Sequence, residues 1–103
     1  MSTKKSDARK FLEKLRGAPL SFGKMIESLR LADEISQVDL AKKMNLSRAY
    51  VCDIEKGRRM VSLDRAADFA KVMGYSVNQF IAVAIEDQLR EIGVTARVKL
   101  EVA

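Results

Sequence analysis

An all-α fold is predicted for most of this 103-residue chain, and three observations carry the prediction. Apolar residues recur at helical spacing in five successive stretches between Phe22 and Ile92. Serines stand directly before four of them: Ser36, Ser47, Ser62 and Ser76. Asn45, Gly57 and Gly74 stand where three of them end. A serine hydroxyl satisfies the free N–H groups of a first helical turn, and Asn or Gly accepts the left-handed backbone that closes a last one. The period changes after Gly93, where the tail alternates.

The centre of the pattern is SQVDLAKKMNLSRAYVCDIEKGRRMVS, Ser36 to Ser62. Ser36 caps a first helix, and Asp39 three residues on suits the positive end of its dipole. Val38, Leu40, Ala41 and Met44 form its expected buried stripe, and Asn45 ends it. Ser47 caps a second helix almost at once. Ala49, Val51, Cys52 and Ile54 give that helix an inner side, and Gly57 stops it. Helices joined by so short a break cross steeply, as in a helix-turn-helix. The second helix then offers Arg48, Tyr50 and Asp53 outward, with Lys56, Arg58 and Arg59 directly following. A helix with base-reading side chains flanked by phosphate-binding cations has this layout.

These positions carry a resemblance. Ser36-Gln37, Leu40-Ala41, Leu46-Ser47, Val51, Glu55 and Gly57 match the spacing of the lambda-repressor/Cro-like (XRE) helix-turn-helix family, and the match extends from about Phe22 to Phe80. Asn45 stands where the family usually has Gly, Cys52 where Ser is common, and Val61 where Pro is frequent. The resemblance implies a lambda-repressor-like five-helix domain that binds double-stranded DNA. It also implies a salt bridge between Arg30 and Glu55, joining the first helix to the end of the recognition helix. At the position of Gln37 the family contacts the DNA backbone and buttresses the recognition helix.

Composition agrees with that class. The net charge is +5, and it is unevenly placed. Residues 1–16 carry six cations against two carboxylates, and Ser36–Ser62 carries six against three, whereas the rest of the chain is slightly acidic. Positive charge gathered on an arm and a motif is the electrostatic footprint of a nucleic-acid binder. The single cysteine rules out an internal disulfide and fits a reducing cytoplasm. An apolar leader is absent from the first residues, and the longest apolar run, Phe80–Ile85, is far short of a membrane span. Enzyme chemistry is poorly provided for. The chain has no histidine, and its lone cysteine lacks an activating base. No Cys/His cluster suggests a metal, and no cofactor is expected.

In chain order, residues 1–19 read as a basic extension with one helix, Asp7–Arg16, whose apolar side is Ala8, Phe11, Leu12 and Leu15. Residues 20–93 form the helix-turn-helix domain. Its first helix, Phe22–Ala32, turns Phe22, Met25, Ile26 and Leu29 inward. The helix Leu63–Met73 turns Leu63, Ala66, Ala67, Phe69, Ala70 and Met73 inward, and Gly74 closes it. Ser76 with Gln79 opens the last helix as a capping box. That helix is apolar over more than one stripe, so a second subunit is expected against it. Phe80, Ile81, Ile85 and Leu89 are its interface candidates.

Residues 94–103 alternate apolar and polar and read as a β-strand with one buried face. A lone strand leaves its backbone unpaired. The expectation is pairing between chains through Val94, Val98 and Leu100, either with itself across a two-fold axis or with a partner protein. A self-pairing register centred on Lys99 sets Arg97 opposite Glu101 and is preferred to one centred on Val98, which sets Arg97 opposite Lys99.

The functional expectation is a sequence-specific regulator, a repressor binding a pseudo-palindromic operator as a homodimer. Base reading is assigned to Arg48, Ala49, Tyr50 and Asp53. The DNA backbone is assigned to Gln37, Ser47, Lys56, Arg58 and Arg59. The alternative is an antitoxin, resembling the HigA type, that binds a toxin protein through a terminal segment and represses its own operon.

Overall fold

The computed structural model describes residues 20–101. The expected helix Asp7–Arg16, the rest of the extension, and Val102 lie outside the described residues. Five helices are present among those described: α1 (Phe22–Ala32), α2 (Gln37–Met44), α3 (Arg48–Glu55), α4 (Leu63–Met73) and α5 (Val77–Glu91).

Each begins at a serine in extended backbone whose hydroxyl accepts from the N–H three residues on. Ser21 accepts from Lys24 at 3.1 Å, Ser36 from Asp39 at 3.0 Å and Ser47 from Tyr50 at 3.1 Å. Ser62 accepts from Arg65 at 3.1 Å and Ser76 from Gln79 at 3.2 Å. Each cap contributes about 1 kcal/mol, which matters for helices as short as the eight residues of α2 and α3. Asn45 closes α2 in the left-handed region at φ 59°, and Gly74 closes α4 at φ 81°.

The core gathers α1, α4 and α5 around three phenylalanines. Phe22 meets Phe69 and Phe80 edge to face, both with centroids 5.9 Å apart. Tyr75 stacks on Phe80 at 5.8 Å, and its hydroxyl donates to the Asp33 carboxylate at 2.9 Å, fastening the α4–α5 turn to the end of α1. Leu40, Val51 and Ile54 carry the α2–α3 pair onto this core. At the other end Asp87 of α5 accepts the Phe22 backbone N–H at 2.8 Å. Arg90 pairs with Asp87 and donates to the Leu20 carbonyl at 3.0 Å, so α5 holds the start of α1. No helix among the described residues is long and apolar enough to cross a membrane.

Four expectations are corrected. Val38 is 44% exposed; it lies two residues before Leu40, which puts it on the opposite face of α2. Leu63, at the first position of α4, and Ala49, on α3, are also exposed. Phe80 is wholly buried within the protomer and belongs to the core, not to a subunit interface. Beyond these four, residues 94–101 carry no regular secondary structure within the single chain; the expected strand would form only between chains. A ladder needs a second row of N–H and C=O groups, and none among the described residues faces the tail. Instead the tail turns back on α5. The Val94 N–H donates to the Leu89 carbonyl at 2.8 Å, and the Val98 N–H to the Glu86 carboxylate at 2.7 Å. This contact lies on a second side of α5, where Glu86 is buried. Ile81, Ile85, Leu89 and Val98 are half-buried, and Val94 and Leu100 are exposed.

Gly23 controls how closely α1 meets α3. A Cβ there would sit 2.0 Å from the Ile54 carbonyl oxygen and 3.1 Å from that of Glu55. Only a glycine lets the two backbones touch. Gly23→Ala is expected to lower the unfolding free energy by about 3 kcal/mol, measured by urea denaturation. Lys24→Ala, one residue on and exposed, should change it by less than about 0.5 kcal/mol.

Candidate nucleic-acid interface

Three residues, Asn45-Leu46-Ser47, separate α2 from α3. Asn45 supplies the left-handed step, and the Leu46 N–H returns to the Ala41 carbonyl at 2.8 Å. Ser47 then starts α3 immediately. Val51 and Ile54 are buried, which fixes the rotation of α3 about its own axis. That rotation leaves Arg48 and Ala49 exposed, with Tyr50, Cys52 and Asp53 half-buried beside them. Lys56, Arg58 and Arg59 follow and are exposed. Gly57, at φ 78°, makes the turn that brings the Arg58 N–H back to the Asp53 carbonyl at 2.8 Å.

The far end of α3 is held by a buried ionic cluster. Arg30 of α1 grips Glu55 with two parallel bonds, Nε to Oε2 at 2.7 Å and Nη2 to Oε1 at 3.1 Å. Its remaining Nη1 donates to the Ile35 carbonyl at 2.9 Å. Gln37 Nε2, at the start of α2, donates to Glu55 Oε1 at 2.9 Å. The two charged side chains are 9% and 2% exposed. A carboxylate at a helix C-terminus opposes the helix dipole and is costly to bury. Three side-chain donor bonds from two neighbouring helices compensate it. The result joins α1, α2 and α3 at one point and sets the angle at which α3 leaves the domain.

The outward polar residues are not all free. Asp53 engages Arg58 at 3.1 Å, so its carboxylate orients that cation and not Arg48. The Tyr50 ring lies under two guanidiniums, with the Arg59 and Arg65 Cζ atoms 4.4 Å and 5.4 Å from its centroid. Arg65 belongs to α4 and was not singled out in the sequence. A signal did exist: it sits in the first turn of a helix, where a cation runs against the dipole. Gln37, assigned to the DNA backbone, spends its amide N–H on Glu55 while lying half-buried at the start of α2. Ser47 spends its hydroxyl as an acceptor in its cap.

The profile of the helix-turn-helix family matches residues 26–80, just over half of the chain and the whole of α2 and α3. The chain belongs to the XRE-type helix-turn-helix family. Proteins of this family bind DNA through the helix-turn-helix, which α2 and α3 form here. It is 36% identical over 62 residues to the immunity repressor protein of Bacillus phage phi105, covering 60% of this chain and 43% of that protein. It is 41% identical over 56 residues to the control protein C.BamHI of Bacillus amyloliquefaciens, covering 53% of this chain and 69% of that protein. The match thus spans less than half the length of the phage repressor. No solved structure matches significantly.

Removing one member of the ionic cluster strands the other in the interior. Arg30→Ala is expected to cost about 3–5 kcal/mol of stability, and the double replacement Arg30→Met/Glu55→Met far less. Denaturation of the three variants checks this. Equal losses in single and double variants would show that packing, not stranded charge, sets the cost.

Proposed function

We propose that the chain binds a pseudo-palindromic operator as a homodimer and represses transcription by occupying it. The observation that carries this reading is the outward side of α3. Arg48 and Ala49 are exposed at its start, and Lys56, Arg58 and Arg59 are exposed just past its end. An arginine there pairs with guanine O6 and N7, and a small alanine leaves room for a thymine methyl. Asp53 serves by fixing Arg58, and the cations as a group serve the phosphates. The likeness to a protein named as an immunity repressor favours repression as the mode.

One recognition helix reads only a few base pairs, so two-fold pairing on half-sites one helical turn apart is the natural complement. The surface we assign to it is Ile81, Ile85 and Leu89 of α5, continued by the exposed Ile92, Val94 and Leu100. In the dimer the tails from Val94 to Leu100 pair antiparallel across the axis. Light scattering on the full chain and on a version ending at Gly93 tests this. A dimer that becomes a monomer on truncation supports tail pairing. A dimer that survives assigns the contact to α5 alone, and a full-length monomer contradicts the dimer.

For DNA, the direct test is selection of duplexes from a random-sequence pool. A two-fold-related consensus is expected, and recovery of no preferred sequence would contradict the proposal. On the selected duplex Arg48→Ala should weaken binding by about 1–3 kcal/mol and relax the preference at one position in each half-site. With about four phosphates neutralised per protomer, log K against log salt should fall with a slope of about −7 for the dimer.

A further inference from the structure

The cluster around Tyr50 has an arrangement that base reading does not explain. Four arginines have described partners within the fold: Arg30 pairs with Glu55, Arg58 with Asp53, Arg90 with Asp87, and Arg97 lies 4.0 Å from Glu86. Arg59 and Arg65 have no carboxylate partner among the described residues. Both instead lie over one aromatic ring, at 4.4 Å and 5.4 Å from its centroid. They come from different elements, the loop after α3 and the first turn of α4. A ring face attracts a guanidinium, but two like charges gathered on one ring repel each other. An anion arriving between them removes that repulsion. Guanidinium groups present flat forks of donors that match phosphate oxygens, and stacking fixes those forks before the ligand arrives.

The geometry points to a phosphate clamp on one DNA strand beside the recognition helix. Arg59 and Arg65 are its two contacts, and Tyr50 is a positioning residue whose ring holds both. The clamp places a DNA contact outside the helix-turn-helix, at Arg65 of α4, and gives Tyr50 a role that does not depend on its hydroxyl. It rests on the DNA-binding reading of α3.

Salt dependence counts phosphate contacts directly. The experiment measures binding of the full-length chain and its variants to the selected duplex over a range of salt concentrations, with thermal unfolding of each variant as a control. Arg65→Gln is expected to make the slope shallower by about one per bound protomer, with the sequence preference intact. Arg65→Lys, which restores the charge, should recover it. Tyr50→Leu should make the slope shallower as Arg65→Gln does, and Tyr50→Phe should restore it. An unchanged slope in a folded Arg65→Gln variant overturns the clamp and leaves the reading of α3 standing. So does a folded Tyr50→Leu variant that keeps the full slope, since the ring would then position neither arginine. Failure of the unmodified chain to bind any duplex overturns both.

Discussion

A single buried ion pair, Arg30 with Glu55, connects the elements that present the recognition helix. Its strength is not the main point, because a buried pair recovers in attraction roughly what it loses in desolvation. Its geometry matters more. A bidentate guanidinium–carboxylate contact admits one orientation, and here a third helix adds Gln37 to the same oxygen that Arg30 Nη2 binds. Seven residues before Arg30, two turns earlier on α1, Gly23 touches the Ile54 carbonyl with no side chain between. Two fixed points on one face of α1 therefore hold the end of α3. The helix is only eight residues long and would not keep its direction unaided.

The rest of the fold supplies what that arrangement needs. Phe22, Phe69 and Phe80 anchor α1 to α4 and α5, so the arm carrying Gly23 and Arg30 does not shift. Asp87 and Arg90 of α5 hold the backbone where α1 begins. Arg65 and Tyr50 link α4 to the outward side of α3. The recognition surface is thus built from α3 but positioned by α1, α2, α4 and α5, which is why a local motif alone does not make a working reader of DNA.

Much of this was legible in the residues. Serine spacing located four of the five helix starts, because a hydroxyl acting on the N–H three residues on is a local interaction that leaves a local trace; the Ser21 cap of α1 was not read from it. Asn45 marked the tight turn for the same reason. The helical stripes located Met25, Leu40, Val51 and Phe69, though Val38 shows that an apolar residue near a stripe is not necessarily part of it. What stayed hidden depended on pairs far apart in the chain. Asp53 chooses Arg58 over Arg48 because the Gly57 turn folds the chain back. Arg65 reaches Tyr50 because α4 packs across the loop after α3. Phe80 lies in the protomer's own core because Tyr75 and Phe22 close around it. The alternation after Gly93 is a true feature of the sequence, but a strand is a property of two chains' backbones, and within one chain the tail finds the Glu86 carboxylate instead.

The central claim is that α3 meets DNA with the face that Val51 and Ile54 turn outward. Backbone amide shifts of the nitrogen-labelled full-length protein, followed during titration with the selected duplex, test it most directly. The account predicts the largest changes at Gln37, from Ser47 to Asp53, and from Lys56 to Arg59, with the buried core of α5 little affected. Changes confined to the outer face of α5 and the tail, with α3 unmoved, would contradict it.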